Sequence, residues 1–177
     1  MTSKLDQGLV QIYTGDGKGK TTASLGLALR AAGRDFNIYI GQFMKISDFG
    51  EHKALERFSD LITVEQYGSG RFHTEGTLNE EEMRNAKEGL KKIKEALRSK
   101  EYEIVIADEI CVAYHFDLLD LEDLIDLIDV KPSNVELVLT GRKAPKKLIE
   151  MADLVTEMKE VKHPYQQGIK AREGIEK

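Results

Sequence analysis

The stretch that constrains this chain most is "LVQIYTGDGKGKTTASLGLALRAAG", Leu9 to Gly33. A short apolar run leads into Gly15, Gly17 and Gly19, and a helix-forming segment opens at Lys20-Thr21. A strand that turns on glycines into a helix N-terminus gathers backbone N–H groups around one anion, and the helix end adds partial positive charge. The spacing is G-x-x-x-x-G-K-[ST] in every place but the first, where Thr14 stands instead of glycine. A triphosphate is the ligand such a loop is built for. What the missing glycine does to the reaction is the question the sequence poses.

The rest of the chain repeats the alternation of apolar run and amphipathic stretch. Strands are expected at Leu9 to Tyr13, Asn37 to Phe43, Ile62 to Tyr67, Glu103 to Asp108, Val135 to Thr140 and Leu154 to Met158. Helices are expected from Thr21 to the Ala32-Gly33 boundary, with Gly33 as a left-handed cap, and from Asn79 to about Arg98. A third, "LEDLIDLIDV", follows Asp120 as N-cap. Glu80 to Glu82 suit a helix N-terminus, and that helix's charged face reads as solvated surface. "GSGRFHTEGT" reads as a loop, and the chain from Lys159 onward as an extended tail across the surface.

This pattern gives an α/β class: a mostly parallel sheet flanked by helices, phosphate-loop NTPase-like (RecA-like), in one domain spanning residues 1–177. At 177 residues and 41% hydrophobic content the chain can bury a sizeable core. A net charge of −5 argues against generic attachment to nucleic acid. No apolar stretch approaches the roughly 20 residues that span a bilayer. No secretory pattern opens the chain, so the cytoplasm is the expected compartment. One cysteine, Cys111, excludes an internal disulfide and reads as a small buried hydrophobe.

Within the loop, Gly15 to Thr22 should hold the phosphates, with Lys20 reaching their oxygens and the Thr21 hydroxyl taking one position on Mg²⁺. Asp16 should point outward or pair with Lys18, because a carboxylate aimed inward repels the ligand. "EIVIADEI" should bring Asp108 and Glu109 to the metal side of the site. Glu109 there could polarise a water against the γ-phosphate or simply coordinate the metal. Spacing does not separate these roles. His52 and His115 read as structural or surface residues, and no two histidines have metal-ligand spacing.

With these motifs in view, the chain resembles the phosphate-loop corrinoid adenosyltransferases, which act on cob(I)alamin or cob(I)yrinic acid a,c-diamide. The resemblance runs from Gly8 to Glu176 through "TGDGKGKTTASLGLALRAAG", "QFMK" with "GEHKALE", "IADEI", "LTGRKAP", "ADLVTEM" and "KHPYQQGIKAREGIE". It implies ATP held with its triphosphate reversed relative to most such loops, attack of Co(I) on the ribose 5′ carbon, and release of triphosphate. By position it implies Lys20, Thr21 and Glu109 as catalytic residues, with Thr21 and Glu109 on Mg²⁺ or Mn²⁺. Arg30 and Arg142 become nucleotide contacts, and His163 a substrate-side residue. A reduced-flavin or flavodoxin-type electron donor and a homodimer are implied in the same way.

Two departures stand out. The family's best-studied members carry a Phe and a Trp after the third strand that expel the lower axial ligand of cobalt. Here the stretch is "GSGRFHTEG", and the chain has no tryptophan. Phe72 can still offer a ring, and His73 is expected at the rim or on a corrin side-chain amide. Ile46 stands where a glycine is usual. The competing readings are an ATPase or kinase acting at the γ-phosphate, and a non-catalytic protein whose loops order on ATP.

Overall fold

The computed structural model describes residues 4–46, 49–69 and 80–176. Six strands form one sheet: β1 (Val10–Thr14), β2 (Ile38–Phe43), β3 (Ile62–Tyr67), β4 (Ile104–Asp108), β5 (Glu136–Thr140) and β6 (Leu154–Glu157). Their spatial order is β3-β2-β4-β5-β1-β6, and every pairing is parallel. The expected α/β class is the observed one. β2 and β4 are buried along their whole length, so they read as unbroken apolar runs.

Helices α1 (Lys20–Ala32), α2 (Gly50–Leu55), α3 (Glu80–Ser99), α4 (Ile110–His115), α5 (Leu121–Asp129) and α6 (Lys146–Met151) connect the strands. Two apolar clusters fasten them to the sheet. In one, Ala28, Ala31 and Ala32 of α1 meet Ile38, Ile40, Ile106 and Val138. In the other, Leu90, Ile93 and Leu97 of α3 join Leu124 and Leu127 of α5 over Phe43, Val105 and Leu137. Small side chains on α1 keep it close to the strands, and the phosphate-loop end of that helix lands at the sheet's carboxyl edge. α3 approaches as closely at Gly89, where a Cβ would stand 2.6 Å from the Tyr67 ring.

Several expectations change on contact with the structure. Gly33 does not adopt a left-handed cap: its φ is −65°, and the first positive φ falls at Asp35, 58°. The last turn tightens through Arg34 N–H to Ala31 O and Asp35 N–H to Ala32 O, so the reversal is displaced by two residues onto an aspartate that tolerates it. Asp120 is the N-cap of α5, accepting from Asp123 N–H at 3.0 Å. Glu82, read as solvated, is buried and accepts from Ser69 at 2.5 Å. The tail is not simply extended. It makes a short 3₁₀ turn at Pro164–Gln167 and returns, because the Lys18 ammonium finds both Ile175 O and the Glu176 carboxylate at 3.1 Å.

Candidate functional site

The phosphate loop is built by backbone collisions that only glycine avoids. Gly15 has φ 95°, and a Cβ there would lie 2.4 Å from Met158 O. Gly17 donates its N–H to that same oxygen at 2.7 Å, tying the loop to the end of β6. Thr14, in the place of the missing first glycine, is the buried last residue of β1. Its hydroxyl accepts from Ala144 N–H at 3.2 Å, which fixes the segment after β5 against the loop. Lys20 curls inside the turn, donating to Gly15 O and Gly17 O at 2.7 Å each. Burial lowers its pKa; the carboxylate of Glu109 pulls the other way, and Arg142 adds to the lowering.

Opposite the loop stands a fully engaged carboxylate. Asp108 ends β4 at 1% exposure. Its Oδ1 accepts from Thr140 Oγ1 at 2.7 Å and Thr21 Oγ1 at 3.0 Å. Its Oδ2 accepts from Lys45 Nζ at 2.7 Å and Gln42 Nε2 at 3.2 Å. Gln42 passes the network on to His52 Nε2, 2.5 Å from its Oε1. Glu109 follows in a left-handed conformation, φ 62°, as N-cap of α4, with its N–H on Thr140 Oγ1 at 2.9 Å. Burial and then the neighbouring Asp108 push its carboxyl pKa up, against the pull of Lys45, Lys20 and Arg142.

These parts face a cleft of about 710 Å³ at the carboxyl end of the sheet. Asp16, Gly17, Lys18, Gly19, Lys20, Thr21, Thr22, Glu109, Arg142 and His163 all line it. Gly15 stands behind as a carbonyl acceptor. Asp16 is exposed, while Lys18 pairs with Glu176 and not with Asp16. His163 caps the tail's 3₁₀ turn, its Nδ1 accepting from Tyr165 N–H at 3.1 Å. Arg30 is not brought to the cleft. It lies ten residues along α1 from Lys20, about 15 Å down the axis, and is exposed with its charge near Tyr13. Phe72 and His73 lie outside the described residues.

The sequence reading missed Lys45, Thr140 and the anchoring role of Asp108, and it did not foresee Glu160 and Glu176 of the tail at the cleft. "QFMK" and "TGR" were the available signals. Among the described residues no group of three His, Cys, Asp or Glu side chains could hold a metal ion alone. The Thr21 hydroxyl with the Asp108 and Glu109 carboxylates is a hard-oxygen set, suited to Mg²⁺ or Mn²⁺ that also binds phosphate. That the Lys45 ammonium already bridges Thr21 and Asp108 shows the position accepts a cation. No helix among the described residues is long and apolar enough to cross a membrane.

Comparison with known proteins follows the same lines. The family model described as ATP:corrinoid adenosyltransferase BtuR/CobO/CobP matches residues 6–176. A corrinoid adenosyltransferase of Sinorhizobium sp is 37% identical over 180 residues, covering 99% of this chain and 84% of that protein. The corrinoid adenosyltransferase of Pseudomonas aeruginosa is 31% identical, over 97% of this chain and 84% of its own length. That of Escherichia coli K12 is also 31% identical, over 97% of this chain and 86% of its own.

Proposed function

This chain belongs to the ATP:corrinoid adenosyltransferase family, and from that premise we propose that it transfers the 5′-deoxyadenosyl group of ATP to the Co(I) of a reduced corrinoid. The observation that carries the reading is convergence: the glycine loop, Lys20, Arg142 and Glu109 line one cleft at the sheet's carboxyl edge, with buried Asp108 behind it bonded to Thr21. Co(I) gives an electron pair to C5′ and becomes Co(III) as the Co–C bond forms. The C5′–O bond breaks, and its electrons leave with triphosphate.

A cobalt nucleophile carries no proton, so the site needs no general base at the reacting atom. That fits Asp108, whose oxygens already accept from four donors. The chain's task is to stabilise charge growing on the triphosphate. Loop N–H groups, the start of α1, Lys20 and Arg142 are suited to it, and one such donor is typically worth about 3–4 kcal/mol. Lys20 then exchanges its bonds to Gly15 O and Gly17 O for phosphate oxygens. Thr21 and Glu109 would hold Mg²⁺ or Mn²⁺, with Asp108 orienting the Thr21 hydroxyl, and the bound ion supplies further countercharge.

The reversed polyphosphate of the family resemblance is part of this proposal, and Thr14 is where the loop departs from the ordinary spacing. Its side chain is committed to Ala144, so the loop begins one residue late, at Gly15. Corrinoid contacts, including any by Phe72 and His73, belong to this proposal, as do a cytoplasmic homodimer and a reduced-flavin or flavodoxin-type donor. The test is spectrophotometric. Chemically reduced cob(I)alamin loses its Co(I) absorbance on adding MgATP and enzyme; an unchanged spectrum with every corrinoid tried would end the reading.

A further inference from the structure

Lys45 is the one charged donor to Asp108 among the bonds described above, and the chain around it is arranged to keep it there. It follows Met44, a non-glycine residue at φ 57°. That conformation is costly for a methionine and persists only where neighbours hold it. Met44 N–H is bonded to Tyr67 O at 3.2 Å, and buried Gly68 packs so tightly that a Cβ would stand 2.6 Å from Lys45 N. The turn thereby aims the Lys45 side chain back over the end of β4. Its ammonium lies 2.7 Å from Asp108 Oδ2 and 3.2 Å from Thr21 Oγ1 while lining the nucleotide cleft. Lys20, the motif lysine, bonds instead to loop carbonyls. Two lysines therefore divide the site, one in the phosphate turn and one among the metal-side oxygens.

We propose that Lys45 is a built-in counter-ion of the metal-binding oxygens: its ammonium neutralises Asp108 and holds Thr21 until a metal–nucleotide complex displaces it. The inference rests on the reading that a divalent ion binds with ATP at Thr21. That ion needs the Thr21 oxygen the ammonium now engages and would sit beside the Asp108 carboxylate the ammonium now neutralises, so the two cations compete. Three consequences follow. The protein does not need metal to keep Asp108 neutralised. Free Mg²⁺ gains little at the site, because an ammonium must leave. Only Mg²⁺ arriving with a triphosphate, itself able to receive the released ammonium, wins the exchange.

The experiment compares the full-length wild-type protein with Lys45→Met and Lys45→Gln, using MgCl₂ with or without a non-hydrolysable ATP analogue. Wild type shows no thermal shift with MgCl₂ alone. Without metal, Lys45→Met melts lower by roughly 6–20 °C, since a buried carboxylate loses the one cation bonded to it among the described residues. MgCl₂ alone then restores most of that loss. The Mg²⁺ concentration giving half-maximal analogue binding, read by calorimetry, falls by about tenfold in the variant, as removal of a competing charge of this kind requires. Lys45→Gln, which keeps a donor without the charge, shows the same two effects and serves if the methionine variant fails to fold.

Two results would overturn the proposal. One is destabilisation that MgCl₂ does not relieve, meaning a plain structural ion pair. The other is weaker analogue binding by one factor at every Mg²⁺ concentration, meaning a lysine that acts on phosphate alone. Failure of wild type to bind the analogue at all would instead strike the underlying nucleotide reading, so the two failures are separable.

Discussion

Replacing Thr140 by valine removes one oxygen and almost no volume, so it isolates what a single hydroxyl contributes to this site. Thr140 is fully buried, and its Oγ1 does two things at once. It donates to Asp108 Oδ1 at 2.7 Å and accepts from Glu109 N–H at 2.9 Å. In Thr140→Val the carboxylate loses a charge-assisted bond, about 1.5–3 kcal/mol, and a buried N–H loses its acceptor, about 1–3 kcal/mol. The total is about 2.5–6 kcal/mol, which for a chain of this length lowers the melting temperature by roughly 5–24 °C. Thr140→Ser is the control. It keeps the hydroxyl and loses a methyl group, a change of about 1 kcal/mol. Urea unfolding of the three proteins under metal-free conditions reads the difference directly. Valine should be the less stable of the two variants by at least about 1.5 kcal/mol. If valine equals wild type while serine is the weaker, Thr140 matters for packing and the hydrogen-bond account of the Asp108-Glu109 corner is refuted.

Three further outcomes are expected. Lys20→Ala keeps a native circular dichroism spectrum but loses about 10²–10³-fold in turnover, because the lysine acts on the leaving group; a rate within a fewfold of wild type contradicts this. Glu109→Gln moves the Mg²⁺ titration of activity to higher concentration, and an unchanged titration removes Glu109 from the metal. Cys111 is fully buried, and burial with the nearby Glu109 charge pushes its thiol up to about 12. The native protein should therefore resist thiol reagents at mildly alkaline pH. Because the folded thiol holds its proton above the ordinary value of 9.0, this cysteine's contribution to stability is present below that pH and is lost as pH rises toward 12. Rapid labelling of the folded protein would contradict the burial.

The strands were legible because each is an apolar run closed by a turn signal. β3 begins and ends where the sequence reading put it, and the others differ by a residue at one or both ends. α2, α4 and α6 were not legible, since six residues make too little of a helical repeat to show a periodicity. The phosphate loop could be read because its chemistry is local, with strand, turn and helix contiguous. The opposite wall could be read only in part. Thr21 meets Asp108 across 87 residues of sequence and Lys45 meets it across 63, so those bonds depend on the order β2-β4-β5-β1 and not on any short motif. Asp108 and Glu109 look alike in the sequence, because adjacent carboxylates are distinguished only by burial, and nothing there marks Asp108 as the one held by four donors. The tail's return depends on Lys18 bonding both Ile175 O and Glu176 from far along the chain, for which the sequence offers no periodic signal.

If the loop grips a departing triphosphate, phosphorus NMR of a single turnover will show that product. With MgATP, reduced corrinoid and enzyme, the account predicts inorganic triphosphate appearing in step with adenosylcorrinoid, and none when the corrinoid is withheld. ADP with orthophosphate, formed whether or not corrinoid is present, would contradict it.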